Sequence, residues 1–250
     1  MLPTERRSKI IEKLEEQEFL ELKTLHKELN ISMETLRRDI QQLVKLELVQ
    51  KEYGGIRLNK ESNGESAIER RLDRNLTKKK LIAEKALKLI DDGDCIYLDS
   101  GSTTLQIAKG LETKRHLTIV TNSIPVLIQC MQYNHTLISI GGKVRSSEQS
   151  LTQFDFLFNF EHLNINKGFF CCSGLSVPYG VTDYSIEEVE TRRRLMNISQ
   201  QKYLTADSSK INRVVTAKIG ELEDFNQLIT DDEITNEQQE EFEQSGIQVI

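Results

Sequence analysis

No part of this chain is apolar for anything near the roughly 18 residues that a membrane-spanning helix needs, which excludes a transmembrane helix. Cysteine is sparse. The four residues Cys95, Cys130, Cys171 and Cys172 show no C-x-x-C spacing, and three lie in apolar runs that read as strands. A cysteine metal site is therefore not expected, and reduced core thiols in the cytosol are. Three prolines and thirteen glycines among 250 residues leave no low-complexity segment, and no internal repeat is present. The opening Met1-Leu2-Pro3-Thr4-Glu5-Arg6-Arg7 runs straight into an amphipathic pattern with no signal peptide, so a cytoplasmic protein is expected. Net positive charge is lacking as well: at −6 the chain does not coat nucleic acid over its whole surface.

The charge is unevenly spread. Residues 1–80 carry 18 Lys+Arg against 15 Asp+Glu, a net of +3, and the remaining 170 carry a net of −9. A weakly basic head on an acidic body suits a head that approaches an anion and a body that does not. Within the head, Ser32 is a good N-cap for a helix whose apolar residues Leu36, Ile40, Leu43 and Val44 recur at helical spacing. The opposite side presents Glu34, Arg38, Gln41 and Gln42, flanked by Thr35 and Arg37. Arginines can reach phosphates or guanine edges, and amides can read adenine. Taken alone, such a face is ordinary solvated helix. Its neighbours change that. Lys23 to Leu29 reads as a preceding helix and Asn30-Ile31 as a tight turn, which makes a helix-turn-helix. Leu46 to Leu58 then reads as a hairpin about Gly54-Gly55, a wing whose Lys51, Tyr53 and Arg57 can touch phosphates or a minor groove.

These residues, with Arg6, Ile10, Leu25, Leu29, Ile31-Ser32 and Thr35-Leu36-Arg37-Arg38-Asp39-Ile40, resemble the DeoR-type winged helix-turn-helix. That family commonly shows V-S-x-x-T-I-R-R-D-L before H-G-G-A. Here Ile31, Leu36 and Ile40 are volume-conserving replacements, whereas Tyr53 and Ile56 alter the wing. The resemblance implies that residues 1–58 bind a double-stranded DNA operator, with Ser32, Glu34, Thr35, Arg37, Arg38, Gln41, Gln42, Lys51, Tyr53 and Arg57 as the contact set.

Residues 59–76 are polar and charged and read as a linker. From 77 to 250, apolar runs alternate with helical patterns, which predicts an α/β domain with a mainly parallel sheet covered on both faces. Ligands bind such sheets beyond the carboxyl ends of the strands. That rule selects Asp99-Ser100-Gly101-Ser102-Thr103-Thr104, which follows a strand and opens a helix whose free N–H groups suit a phosphate or carboxylate. It also selects Asn122, Gly141-Gly142-Lys143, and Asp207 with Lys210. Asp207 can accept from sugar hydroxyls, and Lys210 can neutralise a phosphate. The order of these pieces resembles the DeoR-type effector domain, which is similar to sugar-phosphate isomerases such as ribose-5-phosphate isomerase. The resemblance implies a phosphorylated sugar as effector and carries over Asp99, Gly101, Thr103, Asn122, Asp207 and Lys210. Gln149 to Gln153 departs from the V-G step that many members show there.

The expectation is thus a sugar-phosphate-responsive transcription regulator, a repressor and a homo-oligomer, with no metal or covalent cofactor indicated. Two alternatives stand beside it. One is a sugar-phosphate isomerase-like enzyme with an appended head, in which Asp207, Glu187 and Lys210 shuttle protons. The other is a DNA-binding protein whose body only oligomerises. Arg38→Ala is expected to cost about 1–3 kcal/mol on the cognate site. Duplex titrations check this, and sequence-selective binding that survives Arg37→Ala/Arg38→Ala unchanged would show that the wrong helix has been assigned.

Overall fold

The computed structural model describes residues 3–17, 19–45, 49–58, 68–152 and 163–250. The chain divides into two compact units, Met1–Arg70 and Arg71–Ile250.

The first unit contains α1 (Pro3–Glu16), β1 (Phe19–Glu21), α2 (Leu22–Glu28), α3 (Met33–Lys45), β2 (Val49–Glu52) and β3 (Gly55–Leu58). The turn between α2 and α3 follows from two residues. Asn30 takes the left-handed conformation, φ 50°. Its N–H donates to the Lys27 carbonyl, and that of Ile31 donates to the His26 carbonyl. This pair of bonds is a Schellman ending. Ser32 then caps the next helix, its Oγ accepting from Thr35 N at 3.1 Å. Ile10, Leu14, Leu25, Leu36, Ile40, Leu43 and Ile56 form one fully buried core, each worth roughly 1.5–3 kcal/mol against exposure. Asp39 is buried too. It accepts from Arg6 Nε at 2.8 Å and Arg6 Nη2 at 3.3 Å, a bidentate bond from α3 to α1.

The wing is antiparallel in the order β1-β3-β2. Its turn is Tyr53-Gly54 rather than Gly54-Gly55, because Gly55 already pairs with Glu52 and Glu21. A Cβ on Gly55 would lie 2.5 Å from the Leu20 carbonyl oxygen, so only glycine lets β1 come this close. Leu46 to Leu48 of the predicted hairpin lie outside the described residues.

The division between the units falls within α4 (Ile68–Asp73). There follow α5 (Leu76–Lys88), β4 (Cys95–Leu98), α6 (Ser102–Gly110), β5 (Thr118–Thr121), α7 (Ile124–Cys130), β6 (Thr136–Ser139), β7 (Lys143–Arg145) and β8 (Ser150–Thr152). Then come β9 (Ile165–Cys171), β10 (Gly174–Ser176), β11 (Gly180–Asp183), α8 (Ile186–Asn197), β12 (Ser199–Thr205), β13 (Ala217–Gly220), β14 (Gln227–Ile229), α9 (Asn236–Gln244) and β15 (Gln248–Val249). The spacing predicts a helix over 81–90, but α5 starts at Leu76. In the buried set Lys79, Ile82, Ala83 and Ala86, a lysine carries the buried stripe one turn further back than the apolar residues do. A helix predicted over 154–160, and residues 59–67 of the predicted linker, lie outside the described residues.

The main sheet runs β15-β14-β12-β9-β4-β5-β6, every described pair parallel. Alternate residues feed opposite cores. Ile96, Leu98, Ile119, Phe169 and Tyr203 pack with residues of α5, α6 and α7. Tyr97, Val120, Phe170, Leu204 and Leu228 pack with Val189, Leu195 and Phe242 on the other face. A small antiparallel sheet, β10-β11-β13, contributes Leu175, Val181 and Ile219 to that second core. Chain order runs from β4 through β5 to β6 one way and from β9 through β12 to β15 the other. The order reverses between β4 and β9, where a parallel sheet opens a crevice at its carboxyl end.

Asp39→Ala is expected to destabilise the first unit by about 3 kcal/mol, because a bidentate bond is lost from a buried position. Arg37→Ala, on the exposed face of the same helix, should stay within about 0.5 kcal/mol of wild type. Urea denaturation of the full chain followed by circular dichroism checks both.

Candidate functional site

On α3 the residues Glu34, Arg37, Arg38, Gln41 and Gln42 are all exposed. Arg38 donates to Glu34 at 2.5 Å, one helical turn away. Both side chains are about three-quarters exposed, at 77% and 75%. Such a pair is worth little and is easily exchanged for another anion. Ser32 and Thr35 are committed to the helix start, their hydroxyls 2.9 Å apart. On the wing, Lys51 is exposed and Tyr53 stands fully out at the turn. Arg57 is held by Glu52 at 2.9 Å.

The second unit gathers polar groups at the carboxyl ends of β4, β9 and β12. Gly101 precedes α6 with no side-chain cap. A Cβ there would sit 2.3 Å from Cys171 Sγ, so the loop after β4 packs on the end of β9 only as glycine. Thr104 Oγ1 donates to the Asp99 carbonyl at 2.6 Å and fixes the first turn. The first N–H groups of α6 have no intrahelical acceptor, and they lend the helix start a positive partial charge. Ser102, Thr103 and Gln106 are buried, yet among the described residues their side chains have no hydrogen-bond partner. Gln106 is not among the residues that sequence pattern selects, since a lone amide inside a helix carries no motif.

Asp99 is wholly buried, and its oxygens are occupied. It accepts from Ser100 N at 2.7 Å, Cys171 N at 2.9 Å and Arg192 Nε at 2.5 Å. Burial pushes its carboxyl above the ordinary range while Arg192 pulls the other way. The Tyr97 hydroxyl lies 2.9 Å from Asn122 Oδ1, and Asn122 Nδ2 donates to Ser100 Oγ at 3.1 Å. Asp99, Ser100 and Asn122 thus form one internal network, as their places on neighbouring strand ends require.

Arg192 was not predicted and is central. Its guanidinium also reaches Asp183 Oδ2 at 2.8 Å and Glu188 Oε2 at 3.5 Å. Burial opposes its charge, but Asp99, Asp183 and Glu188 together hold it protonated well beyond the usual arginine range. Glu188 in turn accepts from Ser100 Oγ at 2.9 Å, Ser150 Oγ at 2.5 Å and Arg145 Nη1 at 3.3 Å. A Glu-to-Arg spacing of four residues on one helix is the available sequence signal, and it looks like surface.

At the end of β12, Ser208–Lys210 form one 3-10 turn, with Asp207 Oδ1 accepting from Ser209 N at 3.1 Å. Lys210 is partly buried, and among the described residues its ammonium has no hydrogen bond or ion pair. Burial lowers its proton affinity, and the nearby Arg71 lowers it further. Burial brings the Lys79 ammonium down to about 8, against the pull of Asp207. Lys79 and Lys210 thus share the field of one carboxylate, Asp207, while Arg71 is paired with Glu148.

Gly141 and Gly142 make the left-handed turn after β6, φ 69° and 107°. Lys143 lies beyond it, largely exposed and bonded to Glu187 at 3.0 Å. Glu187 is also bonded to Thr152 Oγ1 at 3.3 Å, and no hydrogen bond joins it to Asp207 or Lys210. The three groups of the proton-shuttle alternative are not linked. Among the described residues no cluster could hold a metal ion, and no helix is long and apolar enough to cross a membrane.

Residues 6–62 match the profile of the DeoR-like helix-turn-helix domain, and residues 74–232 that of the DeoR C terminal sensor domain. The chain is 32% identical to the uncharacterized HTH-type transcriptional regulator YgbI of Escherichia coli, covering 93% of this chain and 91% of that one. It is 29% identical to the HTH-type transcriptional regulator GolR of Listeria innocua, covering 100% and 98%. With the glycerol-3-phosphate regulon repressor of Haemophilus influenzae it shares 28% identity over 91% and 89%. Among solved structures, ribose 5-phosphate isomerase from Plasmodium falciparum aligns over 53% of this chain and 52% of its own at 14% identity, TM-score 0.40.

Arg192→Met is expected to cost on the order of 3 kcal/mol or more, because three buried carboxylates lose their common partner. The loss should be smaller at pH 5 than at pH 7. Without Arg192 the folded-state proton affinity of Asp99 rises further above its unfolded value of 3.8. The folded form then binds more protons than the unfolded one, so stability falls as pH rises through that window. Urea melts at the two pH values read this difference.

Proposed function

Because the chain belongs to the DeoR family of HTH-type transcriptional regulators, we propose that it represses a set of sugar-metabolism genes and that a phosphorylated sugar controls it. It is a DNA-binding regulator and not an enzyme. In this reading residues 1–58 read the operator, 59–76 connect, and 77–250 sense the effector and oligomerise. The carrying observation is Lys210, a partly buried ammonium with no hydrogen bond or ion pair among the described residues, at the carboxyl end of a parallel sheet. The uncapped start of α6 supports the same ligand chemistry, since free N–H groups and a helix dipole favour a phosphate. The relative named a glycerol-3-phosphate regulon repressor supports the repressor part of this reading.

Each group has a task. Lys210 and the N–H groups of Ser102, Thr103 and Thr104 hold the phosphate. Asp207 and the hydroxyls of Ser102 and Thr103 meet the sugar. Asp99, Ser100 and Asn122 hold the loop in shape from behind. Gly141, Gly142 and Lys143 form the far wall. On DNA, Arg38 and Gln41 read bases, helped by Glu34 and Gln42, while Arg37, Lys51, Tyr53 and Arg57 fix the register on the backbone. Two copies place two recognition helices on a palindromic site.

A sugar phosphate at a hundred times its Kd should stabilise the folded protein by about 2.7 kcal/mol, a melting shift of several degrees. Scanning calorimetry with a panel of phosphorylated sugars and inorganic phosphate measures it. Lys210→Met is expected to remove the shift. Wild-type melting that no member of the panel raises overturns the effector reading.

A further inference from the structure

The turn that carries Lys210 also grips the chain next to the division between the two units. Asn75 stands between α4 and α5 in the left-handed conformation, φ 54° and ψ 33°. Its Nδ2 donates to Asp207 Oδ1 and to Ser209 Oγ, each at 3.2 Å. Lys78 Nζ donates to Ser208 Oγ at 2.8 Å. All three residues that precede Lys210 are thus bonded to the α4–α5 junction, across about 130 positions of sequence. The junction is tied from its other side as well. Lys79, buried, donates to the carbonyl oxygens of Arg71 and Arg74 and so closes the end of α4. Arg71 on that helix is paired with Glu148.

We propose that Asn75 is the positioning residue that turns effector occupancy into a change of α4, the helix in which the chain passes from one unit to the other. The inference rests on the effector reading of Lys210. An anion drawn to Lys210 pulls on a single short turn, Asp207 to Lys210. That turn cannot move without altering the acceptors of Asn75 and Lys78. Asn75 is suited to be the element with two states. A non-glycine residue in the left-handed region is held there by its surroundings, and asparagine tolerates it best. With its two acceptors in place the amide holds this conformation. When they shift, the residue relaxes and the end of α4 is redirected. Lys79 moves with it, because its ammonium spans Arg71 and Arg74. The device needs no contact between effector and DNA. It needs only that the two ligands favour different states of one junction.

The test uses the full chain and a duplex that the protein itself enriches from a random library. The sugar phosphate is the panel member that gives the largest melting shift. In wild type, that sugar is expected to change the DNA Kd by about tenfold, within the usual range of coupling between sites. Asn75→Gly keeps the left-handed backbone and removes only the amide. It should retain the melting shift and keep the sugar-free DNA Kd within about twofold, yet cut the response to the sugar from about tenfold to under about twofold. Ser209→Ala removes one acceptor without touching the helices and should weaken the response in part. Lys210→Met should lose melting shift and response together, which separates failure of the site from failure of the coupling. A full response in Asn75→Gly or no loss in Ser209→Ala overturns the proposal. So does a wild-type protein that binds the sugar without any change in DNA affinity. No melting shift with any sugar overturns the effector reading and this inference with it.

Discussion

One buried guanidinium keeps the carboxyl end of the sheet in shape. Arg192 enters from α8 and meets Asp99 from the loop after β4, Asp183 from the end of β11 and Glu188 one turn back on its own helix. Through Glu188 the same cluster reaches Ser100 and the β7–β8 hairpin. Four charged groups out of water are costly unless each is paired, so the loops that bring them can adopt few other arrangements. The start of α6 owes its position to this. Asp99 is locked, Gly101 rests on Cys171, and the free N–H groups of α6 stay at the strand ends.

The DNA-reading unit uses the same device on a smaller scale. Asp39 sits beside Arg38 in sequence but faces the other way, into Arg6 of α1. The triplet Arg37-Arg38-Asp39 therefore divides its charges by helical geometry. Two cations stay in solvent, weakly held and free to exchange partners, and one anion is buried and fixed. Specific recognition needs both halves: a rigid helix, and cations whose existing contacts are cheap to break.

The cations of the second unit follow the opposite rule. Lys79 and Lys210 are withdrawn from water beside Asp207, and burial lowers the proton affinity of both. A surplus of positive charge in a poorly solvated place is unfavourable until an anion arrives.

Much was legible from residue order alone. Leu36, Ile40 and Leu43 recur at helical period, Ser32 caps, and Asn30 tolerates the left-handed turn, all within fourteen residues, so local rules suffice. Consecutive apolar residues such as Ile96, Tyr97 and Leu98 mark strands buried on both faces, and hence a covered parallel sheet. Asp99, Asn122 and Lys210 could be placed on one rim because parallel strands end together. Other features had no local signature. Asp99 and Arg192 meet across 93 positions, and a Glu-Arg spacing of four reads as solvated surface. Lys79 sits in a run of three lysines, and only the packing of α5 determines which of them is buried. The strands β10, β11 and β13 are three or four residues long, too short for periodicity to register. Local order determined the second helix of the helix-turn-helix, with its exposed cations, and the sheet that carries the rim. The tertiary structure alone decided which charges on that rim are locked to one another and which are not, because pairing at such distances depends on where the chain returns.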